Sequence, residues 1–338
     1  MIAKIDQNKF YIQPKFNNSV HFYGLKNKNT KSMFVFDLDG TLATASSEQI
    51  KYISQKAKSC NADIVYATGR TYKEFTKLQN EISKRGIDFP NPDYLIANNG
   101  QFLYENVNGL VSENHLYQTQ LKKKTHYQRE VVTNIMHELS QNKKYKYSDN
   151  ELITLPNLHE IRESDPTFYN SRISYYEWNP SKNMAEYFLA HDIDTTELKS
   201  EITSELRKRK IKLKFRENHY TKPIMDACND RILLQANNLR QHKDGSMTAL
   251  FLCAADKSDG IEFIRKNKGI KYSEILIAGN DDNDIPMAEL SKKGAKFICL
   301  KDASEMLKKY CILIRENIFM ATTNGANAIL EGIKHFTK

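Results

Sequence analysis

Short apolar runs that stop abruptly in polar loops organise this chain. Phe34-Val35-Phe36 empties into Asp37-Leu38-Asp39-Gly40-Thr41. The same pattern recurs where Ile64-Val65-Tyr66-Ala67 meets Thr68-Gly69-Arg70 and where Tyr94-Leu95-Ile96-Ala97 meets Asn98-Asn99-Gly100. It returns late in the chain, where Ile275-Leu276-Ile277-Ala278 meets Gly279-Asn280-Asp281-Asp282-Asn283-Asp284. A run that is apolar at every position is buried on both faces, as in a parallel sheet covered by helices. Helix-like stretches, Glu48 to Lys58 and Lys73 to Lys84, lie between the runs. The β-α-β-α alternation predicts an α/β fold with a doubly wound sheet, whose ligands bind beyond the strand C-termini. Each of the polar loops falls there.

The pattern changes between about Glu105 and about Met247. Thr125 to Gln128 has capping-box spacing before a helix with Val132, Ile135, Met136 and Leu139 on one face. Asp194 with Glu197 is placed to cap a helix carrying Leu198, Ile202 and Leu206. A strand follows, in which Ile211, Leu213 and Phe215 alternate with Lys212 and Lys214. Strand-like stretches at Arg172 to Tyr176 and Arg231 to Gln235 complete an α+β insert. The expected organisation is a basic arm over residues 1–31, a doubly wound (Rossmann-like) core over 32–104 and 248–338, and an inserted cap over 105–247. A length of 338 residues accommodates two such domains.

Composition narrows the picture only slightly. A 40% hydrophobic share describes a globular protein. The five cysteines, Cys60, Cys228, Cys253, Cys299 and Cys311, contain no CxxC pair, so neither a disulfide scaffold nor a zinc site is indicated. The first residues lack the apolar stretch of a signal peptide, and no run is long and uncharged enough to span a bilayer. The expectation is therefore a cytoplasmic protein without a membrane partner, although signal-independent secretion leaves no such trace. The net charge of +9 concentrates in the Lys-rich start and in Arg207 to Arg216. That run reads as the wet faces of a helix and a strand; no nucleic-acid motif accompanies it, and facing a pocket it would attract anionic substrates. The aromatics Phe168, Tyr169, Tyr175, Tyr176 and Trp178 read as sheet packing, with a sugar site as the alternative.

The chemistry is carried by the loops. Asp37 and Asp39 leave one strand end together, and Asp281, Asp282 and Asp284 leave another. Carboxylates ~4 Å apart repel by about 4 kcal/mol at an effective dielectric near 20, so such a cluster needs protons or a cation. Magnesium suits it, because that ion prefers oxygen ligands and often uses one or two carboxylates beside a substrate phosphate. Phosphoryl transfer also needs donors for the equatorial oxygens, and Thr68 and Lys257 supply a hydroxyl and a point charge. A carboxylate nucleophile with a neighbouring acid/base divides hydrolysis into two easier steps. Each motif alone has a bland counterpart: Asp-x-Asp-Gly-Thr as a polar turn, Lys257 as a surface lysine. Gly279 to Asp284 lacks the later Gly and closing Glu of a calcium loop.

Phe36-Asp37-Leu38-Asp39-Gly40-Thr41-Leu42, Thr68-Gly69-Arg70, Lys257 and Asn283-Asp284, in that order, resemble the four motifs of the haloacid dehalogenase superfamily of phosphatases. Asn99-Gly100, the large insert and the ending Ile329 to Phe336 look like its Cof-type and sucrose-phosphatase-like branch, which carries a C2-type cap. The resemblance implies Asp37 as nucleophile, and Asp39 as general acid/base and as magnesium ligand through its backbone carbonyl. It implies Thr68, Gly69, Lys257 and Asn283 around the phosphate, and Asn280, Asp281 and Asp284 in the metal shell. Arg70, Asn99 and Gly100 would approach the substrate. One departure stands out: Asn280 occupies the place where the family usually has Asp, which removes one charge from the metal shell. The implied activity is magnesium-dependent hydrolysis of a sugar phosphate or similar small phosphomonoester. The alternatives are a phosphotransferase of phosphomannomutase type and a decayed binding protein for an acidic partner.

Overall fold

The computed structural model describes residues 32–153, 159, 163, 170–176, 183–221 and 245–337. The basic arm, Cys228, the stretch from Arg231 to Gln235, Phe168, Tyr169 and Trp178 lie outside the described residues. Five strands come first: β1 (Ser32–Phe36), β2 (Ala62–Ala67), β3 (Tyr94–Ala97), β4 (Phe102–Val107) and β5 (Leu110–Glu113). Four more follow as β6 (Ile173–Tyr176), β7 (Met184–Leu189), β8 (Lys214–Tyr220) and β9 (Met247–Cys253). The chain closes with β10 (Ile275–Gly279), β11 (Lys296–Cys299) and β12 (Ile318–Met320).

These strands form two sheets. The larger has the order β12-β11-β10-β1-β2-β3-β4-β5, parallel from β12 to β3 and antiparallel through β4 and β5. Successive strands leave β1 in opposite directions, toward β2 on one side and β10 on the other, so a switch point opens beside β1. β1 is buried at every position, with Met33 and Val35 in one apolar cluster and Phe34 and Phe36 in another. That double burial is what its unbroken apolar run requires. The helices Ser47–Ser59 and Tyr72–Lys84 that cover the sheet begin with capping boxes, Ser46 with Gln49 and Thr71 with Glu74.

The smaller sheet is antiparallel, in the order β6-β7-β9-β8. One face, with Tyr187, Leu189, Leu250 and Leu252, packs in the same cluster as Leu198, Ile202 and Leu206 of the helix Thr195–Lys208 and Val132, Ile135 and Met136 of the helix Arg129–Ser140. The other face carries Met184, Glu186 and Phe188 of β7 opposite Cys253, Phe251 and Ala249 of β9.

Sheet membership moves both boundaries read from the sequence. β4 and β5 extend the large sheet to Glu113, because Asn108 and Gly109 both take positive φ (53° and 86°) and close a tight hairpin. β9, assigned by sequence to the core, pairs with β7 and β8 in the small sheet before the chain returns to the core at Ala254. The capping box expected at Thr125 does not form. Thr125 ends the helix His115–Thr125, its hydroxyl bonded to Leu121 O at 2.9 Å, and Gln128 begins the next helix without a side-chain cap. β8 starts at Lys214, later than the alternation suggested, because the Lys212 amide is drawn to Thr125 O. Asp194 does cap its helix, accepting the amides of Thr196 and Glu197. Cys60, Cys253, Cys299 and Cys311 are free thiols. No helix among the described residues is long and apolar enough to cross a membrane.

Candidate active site

At the end of β1 the chain turns inside one tight loop. Thr41 N–H returns to Leu38 O at 3.1 Å and Leu42 N–H to Asp37 O at 3.2 Å. Leu38 is fully buried, so the alternating Asp37 and Asp39 both reach the cavity on the other side. Gly40 has φ +72°, and a Cβ there would stand 2.4 Å from the Asn280 side-chain nitrogen, so the turn needs glycine.

Asp37 and Lys257 form the centre of the site. Lys257 is completely buried at the start of the helix Lys257–Lys268; its Nζ donates to Asp37 Oδ1 at 2.7 Å, Asp284 Oδ1 at 2.6 Å and Asn283 Oδ1 at 3.2 Å. Burial works against its charge, but the Asp284 and Asp37 carboxylates outweigh that and hold the ammonium above its usual range. Asp37 keeps only 5% of its surface exposed. Burial pushes its carboxyl up to about 7, Lys257 opposing and Asp284 and Asp39 adding to the rise. One buried cation thus stands among two buried carboxylates, an arrangement in which an additional positive charge is electrostatically welcome.

The remaining motif residues gather around this pair. Thr68 is fully buried at the end of β2, its amide bonded to Ile96 O and its Oγ1 accepting the Arg70 amide at 3.1 Å. Arg70 turns to Asp39 and grips it with Nε at 3.0 Å and Nη2 at 2.7 Å. Gly69, Arg70, Asn99 and Asn283 line the cavity, and Asn283 Nδ2 donates to Asn99 Oδ1 at 3.2 Å. Gly100 does not line it. With φ +90°, it lies beneath the next helix, where a Cβ would meet Asp256 O at 2.0 Å.

The second acidic loop divides its labour. Asp284 is fully buried and both its oxygens are engaged, Oδ1 by Lys257 and Oδ2 by the amides of Asn280 (2.8 Å) and Asp281 (3.1 Å). It shapes the loop and holds the lysine. Asn280 Oδ1 accepts the buried Thr41 hydroxyl at 3.1 Å, and Asp281 is exposed at the rim. Asp37, Asp39 and Asp281 line the cavity with carboxylates and Asn280 adds an amide, a set whose oxygens suit magnesium. No group of three or more His, Cys, Asp or Glu side chains gathered for a metal occurs among the described residues.

The cavity, about 400 Å³, lies between the loops and the second face of the small sheet. Residues that the sequence did not single out close it from above: Met184 and Glu186 of β7, Asn218 and Tyr220 of β8, and Phe251 of β9, with Arg216 from the basic run. Glu186 is 4% exposed and burial raises its carboxyl to about 7, partly offset by Arg216 and Tyr220. Its signal was a lone glutamate inside the apolar strand Met184–Leu189. Arg216, Asn218 and Tyr220 follow at the two-residue period that places them on one strand face.

A buried carboxylate beside a buried lysine, at the switch point of a doubly wound sheet and roofed by the small sheet, has the groups that covalent phosphoryl or acyl chemistry on a small molecule requires. Residues 34–318 match the family model of the haloacid dehalogenase-like hydrolases, and the chain belongs to that family. Its fold is similar to that of the sucrose-phosphatase of Synechocystis sp. PCC6803, solved with sucrose and phosphate, at 17% identity and a TM-score of 0.58. That match covers 91% of this chain and 98% of the other. A haloacid dehalogenase-like hydrolase from Bacillus subtilis matches at 13% identity and a TM-score of 0.53, over 90% and 91% of the two chains. A phosphatase from Bacteroides thetaiotaomicron matches at 17% identity and a TM-score of 0.50, over 93% and 99%. At these identities the likeness is one of fold. No curated protein matches the sequence.

Proposed function

We propose that this enzyme hydrolyses phosphomonoesters of sugars or similar small metabolites with magnesium, through a phosphorylated Asp37. The observation that carries the reading is the buried Asp37–Lys257–Asp284 cluster, whose Asp37 lines the cavity. An Asp37 carboxylate oxygen attacks phosphorus while the bond to the leaving oxygen breaks, and Asp39 gives that oxygen its proton. Water then attacks the aspartyl phosphate, its proton passing to Asp39, and the bond between phosphorus and Asp37 breaks to release phosphate. Arg70 fixes the position of Asp39 at the edge of the cavity, through Nη2 at 2.7 Å. Thr68 and Lys257 stand behind the phosphoryl position, where a hydroxyl and a fixed charge stabilise its oxygens. Asp37, Asn280 and the Asp39 backbone carbonyl would hold magnesium, with Asp281 at the rim, and the ion supplies charge neutralisation for the transferring group.

The test is phosphate release from a panel of sugar phosphates, nucleotides and an aryl phosphate, with magnesium or with chelator. Metal-dependent release that disappears in Asp37→Asn supports the reading. Transfer to an added hexose phosphate in place of release would assign the enzyme to the phosphotransferases, and no turnover of any compound by a folded, magnesium-loaded protein would overturn the reading.

A further inference from the structure

We propose that Glu186, with Arg216 beside it, binds the hydroxyls of the leaving group and selects phosphomonoesters of neutral polyhydroxylated alcohols over nucleotides and bisphosphates. The proposal rests on the phosphatase reading of the same cavity and specifies what that cavity accepts.

Three strands bring the relevant side chains into one row. Glu186 of β7 stands in register with Phe251 of β9, and Phe251 with Arg216 of β8, on the face that looks toward Asp37 and Asp39. Glu186 Oε1 accepts the Tyr220 hydroxyl at 3.2 Å. Its Oε2 is buried and has no hydrogen-bond partner among the described residues. A carboxylate oxygen withdrawn from water without a donor is costly, and such atoms in native folds call for an explanation. A ligand that brings the donor supplies one. Nε of Arg216 is likewise buried without an acceptor among the described residues. The row therefore offers an open acceptor and an open donor, and a hydroxyl can answer either.

The same residues argue against two other leaving groups. The Arg216 guanidinium lies 4.0 Å from the centroid of the Phe251 ring, so that face of the ring is already taken and a nucleobase cannot stack on it. The lining also carries Asp37, Asp39, Glu74, Glu186 and Asp281 against Arg70 and Arg216. Because Arg70 is gripped by Asp39, a second phosphate on the substrate would meet Arg216 alone, with Glu186 nearby.

Glu186→Gln tests this with little change of shape. Tyr220 keeps an oxygen to donate to, but the open acceptor becomes an amide donor, so a hydroxyl held there as a donor must turn round and give up its other partner. The measurement is kcat/KM for sorbitol-6-phosphate and glucose-6-phosphate relative to para-nitrophenyl phosphate, which has no hydroxyl to offer. The expected result is a fall of that ratio by roughly tenfold or more in the variant. A ratio kept within about twofold overturns the proposal, whatever happens to the absolute rates. So does a wild-type preference for adenosine monophosphate or fructose bisphosphate over the monophosphorylated polyols. If the wild type turns over none of these compounds, the phosphatase reading has failed separately. Calorimetric binding of glucose-6-phosphate then decides: roughly tenfold weaker binding by the variant supports the role of Glu186, and equal binding overturns it.

Discussion

Glu186 makes a thermodynamic prediction that needs no substrate. In the fold its carboxyl rises from the ordinary 4.5 to about 7, with burial as the cause. Each factor of ten in proton affinity is worth about 1.4 kcal/mol, so ionising Glu186 in the folded protein costs about 3 kcal/mol more than in the unfolded chain. The folded state has the higher proton affinity. The protonated form's contribution is therefore fully present below pH 4.5 and is lost as the pH rises through about 7. Glutamine is neutral throughout and carries no such dependence. Urea unfolding of the wild type and Glu186→Gln, compared between pH 4.5 and 8.5, isolates the difference, because every other titrating group is common to both. The variant should be nearly as stable as the wild type at the acid end and more stable by about 3 kcal/mol at the alkaline end. A difference that stays flat across this range would mean that Glu186 titrates normally and is not withdrawn from water, and would refute the electrostatic account of the roof.

Three further outcomes follow from the geometry. Lys257→Met removes the cation that Asp37 and Asp284 share, so it should cost about 3–5 kcal/mol in denaturant unfolding and abolish phosphate release; a variant as stable as the wild type would contradict the buried-cluster description. Gly100→Ala places a Cβ against Asp256 O in a left-handed backbone conformation, and a loss of about 2 kcal/mol or more is expected. Unchanged thermal unfolding would show that the third loop is not packed as described. Asn280→Asp adds a carboxylate to the cavity that Asp37 lines and should lower the magnesium concentration for half-maximal rate; an unchanged or raised requirement would remove Asn280 from the metal shell.

Much of the core was legible because its strands are buried on both faces, a condition that leaves an unbroken apolar run ending in polar residues. β1, β2, β3 and β10 all read this way, and the loops that follow them meet at one cavity. The β4–β5 hairpin was missed in the sequence although Asn108-Gly109 is a strong two-residue turn signal. β9 was misassigned for a different reason. Met247 to Cys253 is buried at every position, like a core strand, yet one face packs on the insert's helices and the other forms part of the roof of the cavity. Apolar continuity reports burial and not which sheet provides it. The roof stayed hidden because Glu186 and Arg216 are far apart in sequence and meet only through their common partner Phe251. Arg70 was placed at the site but not against Asp39, since a contact between two loops leaves no local pattern.

The central claim is that Asp37 carries the phosphoryl group. The most direct measurement is acid quenching of the magnesium-loaded enzyme during turnover of a radiolabelled phosphomonoester, followed by peptide mapping. The account predicts label on the peptide that contains Asp37, absent in Asp37→Asn and discharged as phosphate when turnover is allowed to finish. Turnover by the wild type with no labelled peptide, or label retained in Asp37→Asn, would contradict it.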